Sequence, residues 1–157
     1  MSRYAENTSV PVDRSKAEIE SILQRYGADQ FMSGWDQEKA FIAFRMAGRQ
    51  VKFIVPLPAK DSKEFTHTPG RRNRRDADKQ LQAWEQACRQ RWRALALVIK
   101  AKLEAVETGI TGFEDEFLAH IILPDGQTAG EYLKPQIAVA YSTGKMPQLL
   151  PYFEDPK

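Results

Sequence analysis

Apolar residues change their spacing several times along this chain, and the changes divide it into elements. After a polar stretch ending in Val10-Pro11-Val12, Ile19, Ile22, Leu23 and Tyr26 recur at steps of three and four, the spacing of one helix face. Ser15 and Glu18 stand at capping-box spacing and Gly27 supplies a stop, so a first helix is predicted over about 14–26. From Gln30 the period falls to two. Phe31, Ser33 and Trp35 alternate with Met32, Gly34 and Asp36, which predicts a strand over 30–35 closed by the polar turn Asp36-Gln37-Glu38-Lys39. A second strand, 39–46, puts Ile42, Phe44 and Met46 on one side and Phe41, Ala43 and Arg45 on the other. Ala47-Gly48-Arg49 is a tight connection into a third strand, 50–57, with Val51, Phe53, Val55 and Leu57 on one face. Connections this short make an antiparallel meander, and Pro56 and Pro58 end it because proline has no N–H for the ladder.

Residues 58–73 carry Pro, Gly, Ser, Thr and basic side chains and are expected to form a mobile surface loop. Beyond them Leu81, Trp84, Cys88, Trp92, Leu95, Val98, Ile99, Leu103 and Val106 recur mostly at threes and fours, predicting one long helix over about 76–107 capped by Gly109. Trp84 and Trp92 fall on that stripe, and with Trp35 they are read as core anchors. Phe113–Leu123 and Thr128–Tyr141 read as two shorter helices around Pro124-Asp125-Gly126, with Pro135 starting or kinking the second. The expected fold is therefore α+β in the order α-β-β-β-α with additional C-terminal helices, a three-stranded meander packed against a long helix. It forms one domain over 1–157, with a flexible arm at 1–12 and an irregular tail at 145–157.

Composition fits such a domain: 42 % hydrophobic and 28 % charged residues lie far from the range of disordered chains. The single cysteine, Cys88, excludes an internal disulfide and a cysteine-based zinc site and suits a reducing compartment. The first twelve residues lack the apolar core of a signal peptide, and no stretch approaches a bilayer span, so cytoplasmic residence without a membrane partner is expected.

Net charge is only +2, yet it is unevenly placed. Residues 71–102 hold ten Lys/Arg against three Asp/Glu, whereas residues 103–157 hold three against nine. Arg71, Arg72, Arg74 and Arg75, followed by Lys79, cluster at the expected start of the long helix, where guanidinium forks, backbone N–H groups and the positive dipole end can together hold phosphate. Arg89, Arg93 and Lys100 on the polar side of that helix, flanked by Arg91 and Lys102, extend this into a basic ridge. Each alone also reads as part of a solvated face, as Glu85 and Arg89 at i,i+4 illustrate. The second sheet face would show Phe41, Ala43, Arg45, Lys52 and Ile54, with Arg49 at the hairpin tip, an interleaving of aromatics and cations that suits single strands unless a helical layer covers it.

Signals for catalysis are thin. His67 and His120 stand at no metal-ligand spacing and read as structural or exposed. Glu114, Asp115 and Glu116 with Asp125 could hold Mg²⁺ in a nuclease, but three consecutive helical side chains diverge and also suit an acidic first turn after Gly112. With no phosphate-cradling glycine loop and no nucleophile elbow, no cofactor and no catalytic residue is assigned.

Arg25-Tyr26-Gly27-Ala28, Phe41–Pro58 (FIAFRMAGRQVKFIVPLP) and Trp84–Glu107 resemble a family of small proteins encoded by phages and prophages, over most of the chain. Members of that family tend to accompany phage genes for DNA replication or recombination. The resemblance implies a DNA-related role and assigns no site residues. The element order is also similar to that of double-stranded RNA-binding domains, although the lysine-rich start of their last helix is replaced here by arginines upstream of it; this is an analogy of fold. The leading expectation is a non-enzymatic nucleic-acid-binding accessory protein gripping the phosphate backbone, in the host cytoplasm if phage-encoded. A protein-interaction module, either a host-directed inhibitor or a homo-oligomer whose basic helix meets its own acidic region, is the rival, ahead of the metal-dependent nuclease.

Overall fold

The computed structural model describes residues 5–36, 38–70 and 73–146. Helix α1 (Val12–Arg25) starts at Val12, with extended Pro11 as its N-cap. The expected Ser15–Glu18 capping box therefore does not form. Ser15 lies inside the helix on the face it shares with Ile19, Ile22 and Leu23, fully buried, and its Oγ meets no hydrogen-bond partner among the described residues.

Strands β1 (Gln30–Trp35), β2 (Lys39–Met46) and β3 (Arg49–Pro56) pair antiparallel in chain order. The β2–β3 turn consists of Ala47 and Gly48, both at positive φ (50° and 71°), the pattern of a type I′ hairpin whose twist matches its strands. This fixes the register: Ile42 stands between Ser33 and Phe53, and Phe44 between Phe31 and Val51. Ala40, Ile42, Phe44, Met46, Val51, Phe53 and Val55 thus share one face, and all are buried.

That face is covered by α1 and by α3 (Ala77–Glu107), which packs beside α1 and contributes Trp92, Ala96, Ile99 and Leu103. Tyr26 fastens the far ends of the two helices by donating its hydroxyl to Glu104 at 2.8 Å. Short helix α4 (Phe113–Phe117) inserts Phe117, fully buried, edge-on to Phe44 and Phe53 with centroids 5.9 and 6.2 Å away. The 3-10 turn Leu118–His120 and the Ile121–Val51 bridge then seal part of the outer edge of β3.

Length sets the rest of the shape. At about 1.5 Å per residue α3 is roughly 46 Å long, while an eight-residue strand at about 3.3 Å per residue spans only some 26 Å. The N-terminal part of α3 therefore overhangs the sheet and carries residues 58–70 and 73–76. Most of this stretch, expected over 58–73 to be a mobile loop, is folded in its described residues: α2 (Lys63–Thr66) buries Phe65, and His67 bridges Arg74, with Thr68 N–H donating to Asn73 and Arg75 N–H to Thr66. Phe65 supplies the apolar anchor that the loop composition concealed, and Trp84 Nε1 donates to the Pro58 carbonyl at 2.7 Å to tie the segment down.

Helix α5 (Ala129–Thr143) starts with a complete capping box between Thr128 and Glu131. It runs through Pro135 as one helix, so that proline neither starts nor ends it. Its first turn is held closely: Gly130 lies so near the Ala119 carbonyl that a Cβ would approach it to 2.7 Å. Further on Ile137, Val139 and Tyr141 are exposed. Among the described residues no second helical layer covers the outer sheet face, where Met32 and Ile54 remain 59 % and 41 % exposed. The expected tail lies outside the described residues from 147 onward.

Phe117 and Ser15 separate two effects in this core. Phe117→Ala is expected to lower unfolding free energy by about 3–5 kcal/mol, through lost burial plus an uncollapsed cavity. Ser15→Ala removes an unpartnered buried hydroxyl and is expected to raise stability in the same denaturant titration.

Candidate functional site

The overhang creates a hollow of about 810 Å³ between α3, the start of α1 and the end of the sheet farthest from the Ala47–Gly48 turn. All three tryptophans line it. Trp92 is buried in its floor, Trp84 forms a partly buried wall, and Trp35, expected in the core, is 75 % exposed because it lies at the end of β1 opposite Ala40. Lys16 Nζ stands 4.9 Å from the Trp92 ring centre and Lys60 Nζ 4.3 Å from that of Trp84. Arg89 adds a third cation, against one carboxylate among the lining residues, Glu85. Gln86 closes one side by donating its amide to the carbonyls of Glu6 and Thr8, which holds residues 5–11 of the expected arm in place. Cys88 also lines the hollow; burial pushes its thiol upward in pKa, so the thiolate needed for nucleophilic chemistry is disfavoured.

A smaller hollow of about 180 Å³ continues toward the helix start, lined by Ala77, Gln80 and Leu81 and again by Lys60 and Trp84. It leads to Asp76, whose carboxylate caps α3 by accepting from Lys79 N–H and is held below its ordinary pKa chiefly by that bond. Next to it are Arg75, which donates to the carbonyls of Glu64 and Phe65, and exposed Arg74. Arg71 and Arg72 lie outside the described residues.

Among the described residues the expected cations do not form one ridge. Lys79 sits 3.5 Å from Asp76, and Arg93 pairs with Glu18 across the α1–α3 contact. Arg89 donates to the Gln86 side chain, and Arg91 to the Pro56 carbonyl. Arg45 and Arg49 lie toward the hairpin end of the sheet and pair with Asp29 (2.6 Å) and Glu114 (2.7 Å). Asp29 is driven below the usual carboxylate range mainly by its bonds from Arg45. Lys52 has no ion pair among the described residues and borders a hollow on the outer sheet face with Met32, Phe41 and Ile54. On that face the Phe41 ring lies over Gly34, where a Cβ would meet it at 2.5 Å, so Phe41 already packs within the sheet.

The acidic run is likewise committed. Glu114 holds Arg49, and Glu116 accepts from Lys102 at 2.9 Å, so part of the acidic C-terminal region neutralises basic residues within the fold. Asp125 accepts from Gln127 N–H in a turn. Among the described residues no group of three or more His, Cys, Asp or Glu is placed to hold a metal ion. His67 Nδ1 contacts Thr66 Oγ1 at 2.8 Å, while the His120 ring stacks on Phe53 with centroids 3.9 Å apart. Among the described residues no helix is long and apolar enough to cross a membrane.

Reading the sequence missed Trp35, Lys16 and Lys60 as site residues. The available signal was an aromatic at the end of a strand beside a polar turn, where helical cover runs out. Comparison with protein-family models, curated proteins and solved structures finds no match.

His120 makes the C-terminal packing sensitive to pH. Burial first, then the positive charges of Lys102 and Lys134, hold its pKa below the ordinary value of 6.5, against a hydrogen bond to the Lys52 backbone. The folded state favours the neutral ring, so its contribution is fully present above the unfolded value and is lost as pH falls through the window beneath it. The thermal midpoint is expected to drop as pH falls below about 6.5, before carboxylates titrate near 4, and His120→Asn is expected to flatten that first drop.

Proposed function

We propose that the protein is a non-enzymatic nucleic-acid-binding accessory protein, of the kind phages carry beside replication and recombination genes, and that it takes a single strand along the overhanging half of α3. The observation that carries this reading is continuity: Lys60 and Trp84 line both hollows, so one surface runs from Trp35 and Lys16 past Trp84 to Ala77 at the start of α3. From Trp92 to Ala77 this path covers sixteen residues of helix, whose fifteen steps span roughly 22 Å.

Aromatic faces offer sequence-tolerant stacking to unpaired bases, which a duplex keeps to itself. Trp35 is the open ring. Lys60, now over Trp84, is a flexible ammonium that can swing to a phosphate as a base takes its place. Arg71, Arg72, Arg74 and Arg75, supported by Lys79 and Arg89, take the phosphates at the helix start. The pairing of Arg93, Arg45 and Arg49 with carboxylates shifts the weight of the proposal from a broad basic ridge to this narrower track. A second reading, a protein-interaction module, draws support from the exposed Ile137, Val139 and Tyr141 of α5.

Tryptophan fluorescence titrations with single- and double-stranded oligonucleotides at two salt concentrations test the proposal. Binding is expected to favour the single strand and to weaken with salt, with a slope reduced when Arg71, Arg72, Arg74 and Arg75 become alanine. Trp35→Ala is expected to cost about 1–3 kcal/mol of stacking. No binding at low salt, or equal binding by the arginine variant, rejects it in favour of the protein-interaction reading.

A further inference from the structure

β1 is the outer strand of the sheet, and no described residue pairs with its free side. In an antiparallel ladder residues alternate between those bonded to the neighbour and those turned away from it. Asp36 N–H donates to the Lys39 carbonyl at 2.8 Å, and the register continues from there through Gly34–Phe41, Met32–Ala43 and Gln30–Arg45. Phe31, Ser33 and Trp35 therefore direct their N–H and C=O groups outward, where no described strand or backbone group meets them.

Exposed edges are ordinarily blunted by lysine, proline, a bulge or a covering element. This one, Gln30-Phe31-Met32-Ser33-Gly34-Trp35, has no charged side chain, no proline and an unbroken register. Two of the most exposed large apolar side chains flank it on opposite faces, Trp35 at 75 % and Met32 at 59 %.

We propose that this edge is a self-association surface: β1 pairs antiparallel with β1 of a second copy about a two-fold axis at Ser33, joining two three-stranded sheets into one. In that register Ser33 faces its own counterpart and Phe31 faces the second copy's Trp35. Every outward N–H and C=O of the three residues then finds a partner. The choice of a second copy over a foreign strand follows from charge and shape. A two-fold axis sets the strand against itself, which an edge bearing like charges resists and this uncharged one permits. The bounding acids do not oppose each other either, since Asp36 falls opposite Gln30 and Asp29 is held by Arg45. The same register sets aromatic against aromatic at both ends, a favourable cross-strand pairing. Because Trp35 also lines the tryptophan hollow, the pairing would bring two hollows to one continuous sheet.

Molar mass by light scattering over a concentration series, without nucleic acid, tests this together with two substitutions at exposed Ser33. The wild-type chain is expected to shift from monomer to dimer as concentration rises. Ser33→Lys and Ser33→Asp each set like charges face to face at the axis; each is expected to remain monomeric with unchanged circular dichroism, and an equal mixture of the two is expected to recover the dimer mass. Amide exchange on the wild-type chain gives a readout independent of the variants: Phe31, Ser33 and Trp35 are expected to become more protected with concentration. A wild-type monomer up to millimolar concentration overturns the proposal, including one whose edge accepts an added extended peptide. So does a dimer that both variants leave intact, or one that forms without protection of those three amides. Oligonucleotide binding is measured separately and stands or falls independently of this result.

Discussion

One apolar sheet face beneath α3 holds this protein together. An isolated two-stranded hairpin is marginally stable at best in water, and the β2–β3 ladder becomes a fold because Ile42, Phe44, Val51, Phe53 and Val55 are removed from solvent by Trp92, Ala96, Ile99 and Leu103. Phe117 closes the remaining gap, so even the C-terminal part depends on that contact. Where α3 outruns the sheet, the same helix must find other partners. It finds them in Phe65, Pro58 and the arm, and the space left between them is the tryptophan hollow. The candidate site thus follows from a mismatch in length between two elements whose packing is otherwise conventional.

Electrostatics then narrows what that site can offer. Three of the expected cations, Arg45, Arg49 and Arg93, are spent on carboxylates, and among the described residues only the loose, exposed Lys79–Asp76 pair stands at the start of α3. The more exposed of these pairs contribute little stability in water, yet they place negative charge where a phosphate would have to approach. Lys16, Lys60 and Arg74 have no carboxylate partner among the described residues, and Lys16 and Lys60 line the groove. The groove therefore combines π faces with mobile ammonium groups, a different chemistry from the arginine ridge that the linear charge pattern suggests.

The order and type of the main elements were legible from spacing alone. A period of two through Phe41–Val55 and of three to four through Trp84–Val106 reports directly which side of each element is removed from water. Reading was weaker wherever one buried residue decided the outcome. Phe65 turns an apparently mobile loop into a folded segment, and Ser15, whose spacing suggested a cap, faces the core because the helix begins before it.

The candidate site was only half legible, and the reason is geometric. By itself the sequence determined the α+β order, the core faces of β2, β3 and α3 and the uneven charge, because these depend on residues near one another in the chain. Tertiary structure alone decided that Arg93 would meet Glu18, that Arg49 would meet Glu114, and that Trp35, Trp84 and Trp92 would gather around one hollow. Those meetings join residues tens of positions apart. They are set by how far α3 extends past the sheet and which of its faces turns toward α1, quantities that a local pattern of apolar and charged positions does not encode.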